Sequence, residues 1–120
     1  MWFMTCYGFF SSVKDLKSDK QLIRARAVKH LVRLKGAFPD LLRDTEIITD
    51  EGTDYPARLR VDRETWITLI DLLAVEATEY DNFKDAAAAH GIDNNYDLFL
   101  HEVWALGRNR LTDLRDRWSR

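Results

Sequence analysis

The residues best suited to chemistry are two arginine pairs, Arg24 with Arg26 and Arg58 with Arg60, each spaced i to i+2. A guanidinium is a planar fork of donors that holds a carboxylate or phosphate through two parallel hydrogen bonds. On an extended strand a spacing of two puts both forks of a pair on one face. Arginine beside aromatic rings is the chemistry of a platform for nucleic acid or for an acidic or phosphorylated peptide. The competing explanation is a solvent-facing sheet whose arginine stems lie over rings, or whose arginines pair with acids of the C-terminal helices. A second cluster, Tyr80, Asn82 and Lys84, brings a phenol, an amide and an amine into one turn. Asp81 or Asn82 acting as a helix N-cap, with Phe83 buried, accounts for the same residues.

No spacing for catalysis accompanies these groups. Cys6, the single cysteine, could pair with His30, His90 or His101 as thiol and imidazole. Cys6 sits in an apolar run, however, where an inert buried thiol is the expectation. His90 and His101 show neither HxxxH nor HExxH spacing, so no zinc site is expected. Neither a glycine-rich phosphate loop nor a GxSxG motif is present. A protein that is not an enzyme and has no cofactor and no metal is therefore expected. One cysteine rules out an internal disulfide and fits a reducing, cytoplasmic setting. The apolar start lacks a basic segment and is broken by Thr5 and Gly8, unlike a secretory leader. No stretch approaches the roughly 20 apolar residues that span a bilayer, so no membrane is expected among its partners.

The elements that must position the arginines follow from periodicity. The chain has 120 residues, the size of one domain, and a formal net charge of −2. Five of its aromatics, Trp2, Phe3, Tyr7, Phe9 and Phe10, open the chain. Residues 1–14 read as one strand bent by a bulge at Gly8, because a two-residue turn there would give Tyr7 a positive φ. Residues 15–20 form a hairpin loop, and 21–27 a strand with Ile23, Ala25 and Ala27 opposite Arg24 and Arg26. Val28, Leu31, Val32 and Leu34 mark a helix that ends near Gly36. Residues 45–49 are a short β-rich run. Residues 55–61 alternate, with Tyr55, Ala57, Leu59 and Val61 on one face and Arg58 and Arg60 on the other. Asp62 caps a helix buried through Trp66, Leu69, Ile70 and Leu73. A short helix lies within 79–90, and Asp93 or Asn94 caps the last one. The expected fold is α+β: an antiparallel four-stranded sheet in β-β-α-β-β-α order, ferredoxin-like by analogy. Helices cover one face, and extra helices follow at the C-terminus.

Several short motifs occur in a characteristic order: Met1-Trp2, Thr5, Gly8-Phe9-Phe10-Ser11, Arg24-Ala25-Arg26, Asp54-Tyr55 with Arg58, Tyr80 with Asn82-Phe83-Lys84, and His101 with Val103-Trp104. Together they resemble a family of small uncharacterised bacterial proteins that open with Met-Trp…Thr…Gly-Phe-Phe-Ser. The resemblance covers roughly residues 1–106 and brings no activity with it. It implies a single domain over 1–106, with 107–120 as a helical extension.

Charge is sorted along the chain. Residues 11–36 hold eight Lys or Arg against two Asp, and residues 76–102 hold seven acids against one Lys. That sorting gives either a basic face for an acidic or phosphate-bearing partner, or basic and acidic stretches that pair within the fold. In the tail, Leu100, Val103, Gly107, Leu111, Leu114 and Trp118 recur at steps of three and four, a heptad-like stripe suited to self-association. The expectation is a protein-binding module, regulatory or inhibitory, of a bacterium or its phage. Its binding residues would be Arg24, Arg26, Arg58, Arg60, Tyr80, Asn82, Lys84 and Trp118, with a homodimer through the last helix. Nucleic-acid binding on the arginine face is the alternative.

Overall fold

The computed structural model describes residues 1–112. Its elements are β1 (Trp2–Met4), β2 (Phe9–Lys14), β3 (Gln21–Ala25), α1 (Val28–Ala37), α2 (Pro39–Leu42), β4 (Ile48–Thr49), β5 (Ala57–Val61), α3 (Arg63–Ala77), α4 (Phe83–Ala89) and α5 (Asn94–Arg110). All the strands join one antiparallel sheet in the order β1-β2-β3-β5-β4. The chain is α+β, as its periodicity predicts. The sheet has five strands instead of four, and its order departs from the ferredoxin-like one.

The additional strand comes from the first segment. Residues 1–14 are not one bulged strand; they form the β1–β2 hairpin, with Phe3 opposite Phe10 and residues 5–8 as the loop. A loop of this length needs no positive φ, and Tyr7 has none. Thr5 closes it: its N–H donates to the Gly8 carbonyl at 2.9 Å, and its Oγ1 accepts from the N–H groups of Tyr7 and Gly8 at 3.0 and 3.2 Å. Donors from distant helices meet carbonyls of this buried loop. Tyr96 Oη donates to Thr5 O at 2.6 Å, and Arg33 Nη1 donates to Tyr7 O at 3.3 Å. Gly8 serves close approach and not a bulge. A Cβ there would lie 2.5 Å from His30 Cβ and closer still to its ring.

Strand register places Phe10, Ile23, Ala25, Ala57, Leu59 and Val61 on the inner face, where Leu31, Leu34, Leu42 and Leu69 of α1, α2 and α3 cover them. Burying a large side chain of this kind contributes about 1.5–3 kcal/mol. The inner stripe of α1 is His30, Leu31 and Leu34. Val28 and Val32, expected inside, are exposed, because α1 is turned so that His30 meets the loop at Gly8.

A smaller second core joins Cys6, Ala87, Tyr96 and Leu100, flanked by Phe9, Tyr80, Phe83 and Phe99. It docks α4 and α5 onto the hairpin loop, so Cys6 belongs to a turn and not to a strand. Asp93 Oδ1 caps α5 by accepting from Tyr96 N at 2.9 Å. Asp62 occupies the N-cap position of α3, yet its carboxylate goes to Lys20 Nζ at 2.8 Å and leaves the helix N–H groups alone. Helix α5 continues through Gly107, and its last buried residue is Leu100. Leu111 is exposed, whereas Leu114 and Trp118 lie outside the described residues. Among the described residues no helix is long and apolar enough to cross a membrane.

Candidate functional site

The outer sheet face carries one row of directly opposed residues across all five strands: Trp2, Ser11, Arg24, Arg58 and Ile48. Period two puts Met4 and Arg60 on the same side. Arg24 and Arg58 are thus like charges facing each other across β3 and β5, an arrangement that destabilises a sheet unless something compensates it. Arg24 Nη2 donates to Ser11 Oγ at 2.7 Å. Its Nε is buried with no acceptor. Arg58 Nε donates to the Tyr55 carbonyl at 3.3 Å, and Arg26 Nη1 donates to the Asp54 carbonyl at 3.1 Å.

Tyr55 organises two of these groups. The guanidinium carbons of Arg24 and Arg26 lie 4.6 and 4.7 Å from its ring centroid. Cation–π contacts of this kind contribute about 0.5–2 kcal/mol, more as water is excluded. Tyr55 as a residue is 7% exposed. Alternation through residues 55–61 would have sent it to the inner face with Ala57. Strand β5 starts only at Ala57, and before it the chain swings Tyr55 under the arginines.

Among the described residues Arg60 alone of the four has an acid. Its Nε lies 2.7 Å from Asp15 Oδ2, and that contact, helped by Lys17 N and Ser18 Oγ, holds the Asp15 carboxyl down at about 2. Among the described residues Arg24, Arg26 and Arg58 have no carboxylate within ion-pair distance. Apolar groups flank them: Trp2 is 74% exposed, and Met4 and Ile48 are exposed as well.

Tyr80, Asn82 and Lys84 lie elsewhere. Asn82 Oδ1 accepts from Asp85 N at 3.0 Å, so this amide is spent as the cap of α4. Tyr80 packs on Phe83, their centroids 6.0 Å apart, and Lys84 Nζ sits 4.8 Å from the centroid of Trp104 on α5. None of the three joins the arginine row, and Trp118 is outside the described residues.

The groups weighed for nucleophilic chemistry are not joined. Burial, then the charge of Glu76, pushes the Cys6 thiol up, which favours its protonated form. No hydrogen bond among the described residues links Cys6 to a histidine. His30 is buried with its Nδ1 accepting from Phe9 N at 3.3 Å, while His101 Nδ1 lies 2.8 Å from the Asp97 carbonyl. Among the described residues no group of three His, Cys, Asp or Glu side chains is arranged to hold a metal ion.

No family model matches the sequence, and comparison with curated proteins and with solved structures gives no match. The roles that sequence periodicity did not give are those of Ser11 and His30, and Tyr55 it placed on the opposite face. Ser11 owes its place to the register opposite Arg24, which the structure alone supplies.

Proposed function

We propose that the chain is a non-enzymatic module that binds an acidic protein surface through the outer face of its sheet. Three arginines with no carboxylate partner among the described residues, two of them in the same row as an exposed Trp2, carry this reading. Trp and Arg are the residues most enriched at interface hot spots, where a ring anchors and a guanidinium fork selects an anion. A partner carboxylate between Arg24 and Arg58 would also relieve the like-charge contact across the two strands. The raised Cys6 thiol supports leaving enzyme chemistry aside. By its size the module is a regulatory or inhibitory protein of a bacterium or its phage, one that acts by occupying another molecule's surface. Self-association through α5 belongs to the same proposal, supported by the exposure of Trp104, Leu106 and Leu111 on its distal half.

Nucleic acid fits this face less well. Stacking along a strand needs a succession of exposed rings; Tyr55, the ring closest to the arginines, is covered by them, and Trp2 alone of the ring residues in this row is exposed among the described residues. Fluorescence anisotropy over a salt series separates the two readings. Labelled single-stranded RNA and DNA are expected to bind no tighter than the non-specific range of roughly 10⁻⁴ to 10⁻⁶ M. A labelled peptide rich in Glu and Trp is expected to bind more tightly than either. Tighter nucleic-acid binding with a steep salt slope, lost in Arg24→Ala with Arg58→Ala, would overturn the proposal.

A further inference from the structure

Where the arginine face meets α5, a cavity of about 290 Å³ opens. Phe9, Tyr96 and Phe99 form its aromatic walls, with the Phe9 and Phe99 centroids 5.3 Å apart and Tyr96 stacked on Phe99. His30 forms part of its lining, 91% buried, and its ring is held from several directions. Gly8 leaves room for it, Tyr96 packs on it at 4.9 Å, and Phe9 N donates to its Nδ1. A ring whose Nδ1 accepts carries its proton on Nε2 when neutral. Burial and the neighbouring Arg33 hold its pKa below the ordinary value, so the neutral form prevails at pH 7. Nε2 has no hydrogen-bond partner among the described residues. His30 lines the cavity, and Nε2 is the donor it can offer an occupant.

The rim is cationic. Of its charged lining residues, Arg26 has no carboxylate among the described residues, while Lys29 shares Asp93, itself at the rim, with Arg33, so the lining keeps a net positive charge. An apolar, ring-lined cavity with a fixed N–H donor and an excess of positive charge selects a planar apolar body bearing an anion. We infer that this cavity is a binding site for a small aromatic carboxylate, its ring against the wall formed by Phe9 and Phe99 and its carboxylate toward His30 and Arg26. The site shares Arg26 with the outer sheet face but does not depend on a protein partner.

Amide NMR titration of the full chain with phenylacetate, phenylethanol and phenethylamine tests it. Phenylacetate is expected to saturate with a Kd below about 1 mM and to shift the amides of residues 9, 26–30 and 93–99. Phenylethanol is expected to bind about tenfold more weakly, and phenethylamine not to saturate. His30 is packed in the core, so the exposed Arg26 supplies the variant. Arg26→Gln should weaken phenylacetate about tenfold and leave phenylethanol unchanged. Equal affinity for the three compounds, shifts elsewhere in the molecule, or no saturation by phenylacetate would overturn the assignment, whatever the protein-binding experiments show.

Discussion

Gly8→Ala is the most demanding test of how the two cores are joined. The new Cβ would sit 2.5 Å from His30 Cβ, whereas carbons in contact prefer about 3.5–4.0 Å. The loop of residues 5–8 and helix α1 must then separate by about 1 Å. That movement strains the Phe9 N–H bond to His30 Nδ1, 3.3 Å long, and the packing of His30 on Tyr96. Overpacking of this kind costs about 1–3 kcal/mol, and loss of the hydrogen bond adds about 1 kcal/mol. Gly8 has no positive φ, so alanine also stiffens the unfolded chain, which returns about 0.4–1 kcal/mol. The net expectation is a loss of about 1–3.5 kcal/mol, read as a lower urea midpoint at unchanged slope. Truncating the ring does not undo this, because His30→Ala keeps the Cβ that clashes. Gly8→Ala should therefore still cost at least about 1 kcal/mol in a His30→Ala background. A change in stability below about 0.5 kcal/mol in the single variant would refute the close-approach role of Gly8.

The pH dependence of stability should show two stages. The pKa of His30 is lowered from an ordinary 6.5, so only the unfolded chain gains this proton just below that value. Stability is fully present above pH 6.5 and falls as the pH drops below it; urea titrations of His30→Phe should lack this stage. Asp15, held at about 2 against an ordinary 3.8, contributes above pH 3.8, and its contribution is lost as the pH falls towards 2. Arg60→Gln should remove much of that second stage, although Asp93, held lower still by Arg33, keeps part of it. Asp93→Ala should cost at least about 1 kcal/mol from the α5 cap alone, and Asp93→Asn should recover that share in thermal melts. A chain truncated after Gly107 should sediment as a smaller oligomer than the full chain if the tail beyond Gly107 carries self-association; an unchanged oligomeric state rules the tail out as the contact.

Much of the outer face was legible in the sequence, because period two alone assigns Arg24, Arg26, Arg58 and Arg60 to one side. Placing Arg24 opposite Arg58 needed the strand register, which no local pattern encodes. The hairpin inside residues 1–14 stayed hidden because its four-residue loop, Thr5-Cys6-Tyr7-Gly8, holds no proline or charge, and its one turn-forming residue, Gly8, fits a bulge equally well. The loop is buried, so its sequence lacks the polar cast of a surface turn, and its carbonyls are met by Tyr96 and Arg33 from far along the chain. The inward turn of His30 was illegible for the same reason. Its partner is the missing side chain at Gly8, and a valine stripe at 28 and 32 was the stronger local signal. Tyr55 misled through Pro56: alternation extrapolated past the start of β5 does not survive the change of direction there.

Arg58→Glu puts the central claim to its most direct test. The substitution sets a carboxylate opposite Arg24, which should leave the melting temperature unchanged or raise it, since an opposite-charge cross-strand pair contributes about 0.2–1 kcal/mol. The measurement is capture of partner protein from nuclease-treated lysate by the immobilised wild-type chain and by this variant side by side. We expect a protein retained by the wild type and lost from the folded variant. Equal retention by both chains would contradict the claim that the unpaired arginines of the outer face hold the partner.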